Sequence, residues 1–245
     1  VRKRELTRYT KSELTSRYGG NRVKIIYKVS IVLLIAVWPL ALLLPDWAFW
    51  ENNWIENIEA LILLGGFVMT VKWSMSGARS TRWLWLSAAV LFLVALGREL
   101  SWGRVFYPMA WTATGPEFPG IHEVWFGAYV PWFLSAMAIL FCIAVWRGRS
   151  LLVTLYKEHL SDRTLLSYLA IFIGGLVLGE TLFEKNMVSL WSAYHQNLEE
   201  MAELCSYWSA IALVFKVKEL IRTDVEACVI KGKTLYSLAQ FTLHR

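Results

Sequence analysis

The chain has 245 residues, 56% of them hydrophobic and 14 of them Trp, with a mean hydropathy of +0.43. A soluble domain of this size cannot bury so much apolar surface, so the surplus faces lipid. The formal charge of +6 does not describe a nucleic-acid surface, because the basic residues stand at the ends of apolar runs rather than in one patch interleaved with aromatics.

Residues 1–24 form a polar, basic arm that opens VRKRELTRYTKSELTSRYGG. It is too long and polar for a signal peptide, and no small-residue cleavage site follows the first apolar run, so the first helix is expected to stay in the mature protein. On an anionic inner leaflet each cation of the arm contributes about 1 kcal/mol of attraction. The expected fold is all-α, a polytopic bundle of about six transmembrane helices over residues 25–217, near 25–44, 55–73, 82–98, 124–146, 165–184 and 199–217, since a span needs roughly 20 apolar residues. The third is the shortest and ends in Arg98 and Glu99. Residues 218–245 read as a cytoplasmic tail.

Counted by loop, 22 of the 25 Lys and Arg fall on one side of the six-helix arrangement, and only Arg98, Arg104 and Lys185 fall on the other. The rule that short cytoplasmic loops are Lys/Arg-rich then puts both termini inside, in an inner (cytoplasmic) membrane protein. Trp47, Trp50, Trp54, Trp102, Trp111, Trp125 and Trp191 fall near the outer ends, and Trp73, Trp83, Trp85 and Trp146 near the inner ends, as interfacial belts do. Cys142, Cys205 and Cys228 form no CxxC pair, and no disulfide framework is expected.

The acids carry a second signal. Twelve of the 19 carboxylates lie at outer loops or the outer parts of helices, although topology requires no such segregation of Asp and Glu. Two helix starts share the pattern N-x-x-E-x-x-E: Asn53, Glu56 and Glu59, then Asn197, Glu200 and Glu203. The first Asn and Glu of each fit a variant of the capping box and the positive end of the helix dipole. Glu59 and Glu203 lie about 9 Å along the axis from the cap, where capping does not account for them. An ionisable residue at membrane depth is by default a functional candidate with a partner, although a helix that starts above the headgroups would leave both in water.

Other candidates join them. Glu99, in GRELSWGR, either serves the site or pairs with Arg98 or Arg104. Glu180 stands among apolar residues in IFIGGLVLGETLF, four residues before Glu184 on the same face. His195, Glu199 and Glu203 are spaced by four, and His122 stands beside Glu123 just before the fourth helix. The pairs Gly65-Gly66 and Gly174-Gly175 read as sites of close helix packing. There is no P-loop, dinucleotide fingerprint, G-x-S-x-G or H-E-x-x-H.

Converged, these groups offer carboxylate and imidazole and no thiolate, a set suited to a divalent ion such as Ca²⁺, Mg²⁺, Mn²⁺ or iron ahead of zinc. Glu59, Glu99, His122, His195, Glu200 and Glu203 are the candidate metal ligands, and Glu99, Glu180 and Glu203 the candidate catalytic groups. The expected function is metal-dependent hydrolysis or modification of a lipid-like substrate entering from the bilayer. A proton- or cation-coupled transporter and a noncatalytic membrane partner or assembly subunit remain open alternatives.

RELSWGR (98–104), IHEVWFG (121–127) and NLEEMAEL (197–204) together resemble a group of bacterial multi-pass membrane proteins in which an E-[IL]-S-W-G segment, a His-containing segment and an L-E-E-x-x-E helix start recur in this order. The resemblance spans roughly residues 98–210. It implies a shared fold and a role for Glu99, His122, Glu200 and Glu203, and brings no established activity. A fainter similarity is to the alkaline ceramidases and their membrane-hydrolase relatives, with Asp46-Trp47, Glu51, Asn53 and Glu59 against that family's calcium segment and Ser101 against its helix-end Ser. Val105 stands where that family has His, Glu199 and Glu203 stand for its late His pair, and the helices number six rather than seven, which counts against a zinc amidase.

Overall fold

A computed structural model describes residues 20–50, 52–112, 115–183 and 194–242, with side chains described except at 20–24, 38, 79–80, 180, 182–183 and 225–242. The basic arm up to residue 19, Glu51, Glu184, Lys185 and Trp191 lie outside the described residues. The protein is mostly helical. Its long helices are α1 (Gly20–Leu43), α2 (Trp54–Ser76), α3 (Arg79–Glu99), α4 (Val130–His159), α5 (Arg163–Val177) and α6 (His195–Thr242).

Three stretches, Asp46–Ser76, Thr81–Glu99 and Gly127–His159, are long and apolar enough to cross a membrane, which makes this a membrane protein. Ile25–Val37 and Arg163–Val177 are shorter apolar helices. In α6 the apolar run is bracketed by Glu199, Glu200 and Glu203 at one end and by Lys216, Lys218 and Glu219 at the other.

Several boundaries differ from expectation. The fourth helix starts at Val130 rather than 124, because Gly127–Tyr129 form a short 3₁₀ turn and Pro131, in the first helical turn, has no N–H to lose there. The apolar composition of VWFGAYV concealed that turn. α5 passes into a π-helical turn at Leu178–Phe183. α6 starts at His195 and continues through 218–242, so the expected tail carries on the helix instead of leaving it. The all-α expectation also missed a small hairpin in which β1 (Ala110–Thr112) pairs antiparallel with β2 (Gly115–Glu117).

The helices alternate in direction. α2 packs on α3 and α6, α3 on α4, α5 on α6, and α1 chiefly on α6, with Tyr27 also meeting the Tyr168 ring of α5 edge-on at 6.2 Å. Among the described residues this gives an incomplete ring in the order α4, α3, α2, α6, α5, with little close packing between α4 and α5. One apolar cluster joins Val37 and Ala41 of α1, Phe49 and Ile55 to Leu198, Met201 and Cys205 of α6. A second joins Leu63, Phe92, Tyr207 and Ile211 between α2, α3 and α6. Of the two glycine pairs, one member of each makes a close approach: a Cβ on Gly66 would fall 2.5 Å from the Phe92 ring, and one on Gly175 would fall 2.1 Å from Ser206 Oγ. Gly65 and Gly174 face open space.

At the end where α2 stops and α3 begins, cations sit on the expected aromatic belt. Lys218 Nζ lies 3.7 Å from the centre of the Trp73 ring, and the Arg147 guanidinium lies 4.9 Å from that of Trp83. Asp162 caps α5 there by accepting from the backbone N–H groups of Thr164 and Leu165, and pairs with Lys216 at 3.2 Å. Burial alone would raise the Asp162 carboxyl, but the Leu165 N–H and the Lys216 ammonium outweigh it and hold it below its ordinary range.

Candidate functional site

At the opposite end, the start of α2, the end of α3, the loop before α4 and the start of α6 enclose a polar cavity of about 860 Å³. Carboxylates come from Glu56, Glu99, Glu199, Glu200 and Glu203, imidazoles from His122 and His195, and guanidiniums from Arg98 and Arg104. The acids gathered by N-x-x-E-x-x-E therefore do meet, but the two copies of the motif are built differently.

In the first, Asn53 is the N-cap residue of α2, yet its side chain does not cap. Its Nδ2 donates instead to Trp47 O at 2.5 Å, and Glu56 accepts from the backbone N–H of Asn52. Neither half of a capping box forms: the Asn side chain is diverted, and Glu56 reaches one residue past the cap while the Asn53 N–H donates to Trp50 O. In the second, Asn197 is no cap, because α6 has already begun at His195. Buried in the bundle, Asn197 Nδ2 donates to Ala41 O at 3.0 Å, satisfying a carbonyl in the last turn of α1.

One turn deeper the copies converge. Glu59 is 0% exposed, Glu99 5% and Glu203 3%, and one carboxylate oxygen from each lies within 4.8 Å of the other two. Three elements hold them. Arg98 Nη2 donates to Glu203 Oε1 at 2.7 Å and Nη1 donates to the Tyr207 hydroxyl at 3.2 Å. That hydroxyl donates to Glu99 Oε1 at 2.6 Å and stands 3.4 Å from Glu203 Oε2. Gly179, in the π-helical turn, lets its backbone lie against Glu203, since a Cβ there would meet Cγ of Glu203 at 3.2 Å. Glu59 is the exception: among the described residues no N–H or hydroxyl donor reaches its buried oxygens, which face the carboxylates of Glu99 and Glu203. A buried acid normally has such partners, so this oxygen pair, facing two further carboxylates, is suited to donate to a cation.

The wall beside Glu99 is strained. Ser101, Trp102 and Gly103 follow one another at φ 42°, 55° and 90°. A left-handed conformation is costly for a bulky Trp, on the order of 1–3 kcal/mol, and such outliers cluster at functional sites. The turn reverses the chain directly after Glu99 and brings Ser101, Trp102 and Arg104 into the cavity lining. Arg104 steadies it, donating to Ser101 O and Pro119 O at 3.3 Å each.

Of the residues expected from sequence, Glu59, Glu99 and Glu203 form the inner cluster. Glu200, His122 and His195 line the cavity without joining those three oxygens. Glu180 falls in the π-helical turn, with its side chain outside the described set. Arg98, expected as a partner for Glu99, reaches across to Glu203. Tyr207 was missed, although it stands four residues after Glu203 and therefore on the same helical face. Chemically the cluster offers three carboxylates around a single guanidinium. No family model, curated protein or solved structure matches the chain.

Proposed function

We propose that Glu59, Glu99 and Glu203 hold a divalent cation at the base of an outward-facing cavity, and that the protein uses it to hydrolyse or modify a lipid-like substrate. The observation that carries this reading is the Glu59 carboxylate, fully buried, with no N–H or hydroxyl donor reaching either oxygen among the described residues, facing two further carboxylates. Ionised carboxylates at this spacing repel by about 3–4 kcal/mol per pair at an effective dielectric of ~20. Arg98 offsets only part of that, and a cation completes the balance. An oxygen-only set favours Ca²⁺, Mg²⁺, Mn²⁺ or iron over zinc. The bound ion would supply Lewis-acid polarisation of a substrate oxygen. Around it, Arg98 and Tyr207 orient Glu203 and Glu99, and His122, His195, Glu199 and Glu200 are placed to handle protons or a polar headgroup in the wider cavity.

In this reading the six helices all span the membrane, both termini are cytoplasmic, and the cavity faces away from the cytoplasm in the inner membrane. The basic amino-terminal arm then lies on anionic lipid. The segregation of Lys and Arg supports this placement. Coupled transport is the weaker alternative. Beyond Arg98 and Tyr207 the bundle interior opens into an apolar space, and the buried Thr70 and Ser206 hydroxyls donate back into their own helices, which counts against a continuous polar path inward.

The test is equilibrium dialysis of detergent-purified protein against Mn²⁺ and, separately, Ca²⁺, followed by elemental analysis. One ion per chain is expected, with affinity weakened roughly tenfold or more by Glu59→Gln or Glu203→Gln. Glu123→Gln, which removes an acid whose carboxylate accepts from the Gly120 N–H, leaves binding unchanged. Wild-type protein that binds neither ion, or three variants that bind alike, would refute the assignment.

A further inference from the structure

Directly beneath the polar cavity lies a second one of about 730 Å³ between α3, α4, α5 and α6. Its wall is almost wholly apolar, with Leu91, Phe92, Phe141, Leu176 and Val214 typical of it. The Ser87 hydroxyl on this wall donates back to Leu84 O at 2.8 Å. The two cavities share one residue, Arg98, whose guanidinium is anchored on Glu203. Along α3 the lining runs from Leu84 to Arg98, about 20 Å at the rise of a helix, somewhat longer than the ~15 Å of one bilayer leaflet.

A void of this size is far larger than a packed interior tolerates empty, and its apolar wall gives water too few partners. Its occupant must therefore be hydrocarbon. The route in is visible in the helix packing: among the described residues α4 and α5 have little close packing between them, and α4 is one of the three membrane-crossing stretches. Hydrocarbon from the bilayer reaches the space sideways, while a polar head attached to it would arrive at the three carboxylates.

We propose that the apolar cavity is the tail-binding half of the same site, taking one hydrocarbon chain of an amphiphilic lipid through the gap between α4 and α5 while the lipid's head lies at Arg98 and the Glu59, Glu99 and Glu203 cluster. This rests on the reading of the upper cavity as a lipid-acting metal site and adds the substrate class: a membrane amphiphile with a single chain inserted to its full length. Arg98, with Tyr207 behind it, marks the boundary between head and tail. The size of each compartment falls within the range of ordinary ligand pockets.

The experiment uses the full chain in nanodiscs of phosphatidylcholine doped with phosphatidylglycerol carrying a diazirine near the end of one acyl chain. After irradiation, adducts are mapped by mass spectrometry. Adducts are expected on Phe92, Phe141 and Leu176 inside, in addition to lipid-facing positions such as Leu61 and Ile139, which are 67% and 62% exposed. Ala88→Trp and Ala210→Trp fill the cavity from different helices, and Ala95→Phe fills it more gently. Each folded variant, checked by gel filtration, should lose interior adducts by about tenfold, as expected when two or more methylenes are excluded, with the adducts on Leu61 and Ile139 unchanged. Adducts confined to outer positions, or interior adducts indifferent to filling, overturn the tail site. Manganese binding measured on the same wild-type protein separates the two ideas: binding without interior adducts refutes only the tail site, whereas interior adducts without binding support the tail site and refute the metal.

Discussion

Both ends of the bundle are rich in charge, yet they use it in opposite ways. At the end where α5 begins, Asp162 meets Lys216 at 3.2 Å, Lys216 meets Glu219 at 3.3 Å, and His159 meets Asp224 at 2.9 Å. Each acid there has a cation or imidazole beside it, and the groups are partly exposed. At the other end three carboxylates are buried around one guanidinium, and among the described residues no N–H or hydroxyl donor reaches the deepest of them. The first arrangement is what a structure needs to tie a loop to a helix. The second lowers stability unless something else binds, which is the usual mark of a site kept for function.

The contrast can be broken most severely at Arg98. Arg98→Ala leaves Glu203 buried beside two other acids, and a loss of roughly 3 kcal/mol is expected by chemical denaturation in detergent, since stripping one partner from a buried pair strands the other charge. The half-exposed guanidinium keeps the effect from being larger. A loss no greater than that of an exposed pair would remove the distinction between the two ends. Glu59→Leu should act in the opposite direction. In metal-free protein it removes a buried carboxylate that no donor reaches and raises stability by about 1–3 kcal/mol, read as a higher midpoint of unfolding, and it should abolish the stabilisation expected from Mn²⁺ in wild type. A destabilised Glu59→Leu variant would show that the acid is structural.

Smaller effects are expected at the balanced end. Asp162→Ala removes the α5 cap and the Lys216 pair, at a cost of about 1 kcal/mol, read in the same denaturation assay. Because the folded carboxyl of Asp162 is held below its ordinary value, its contribution is fully present above about pH 3.9 and is lost as pH falls through the folded value. The difference between wild type and Asp162→Asn should therefore be flat from pH 8 to pH 5 and close only in acid. Asp224→Asn, which weakens a partly exposed contact with His159, should change stability by less than about 1 kcal/mol.

The helical architecture was legible because long apolar runs are a local property of the sequence. The depth of Glu59 was legible for a related reason: counting residues from the Asn53 cap locates a side chain along the axis. What counting could not supply was which helices face one another. Arg98 and Glu203 are 105 residues apart, and adjacency in sequence made Glu99 the natural partner for Arg98. Tyr207 carried a signal in its spacing from Glu203, but a lone Tyr on a membrane helix reads equally as an interfacial anchor. The capping reading of Asn197 failed because α6 begins a little earlier and the Asn is needed by a carbonyl of α1, a tertiary demand invisible in N-x-x-E-x-x-E. The left-handed turn at Ser101 and Trp102 was hidden by residue types that rarely adopt it.

The length of α6 has a mechanical meaning. Its 48 residues make a rod of about 72 Å, more than twice the roughly 30 Å of a bilayer core. Glu203 and Tyr207 near one end share that rod with Lys216, Glu219 and Asp224, with no helix break between them. The balanced contacts that hold its middle against α4 and the start of α5 thus also set the pitch and rotation at which Glu203 is presented to Glu59 and Glu99. A change in those distant contacts is transmitted as a lever transmits it, by displacing the far end.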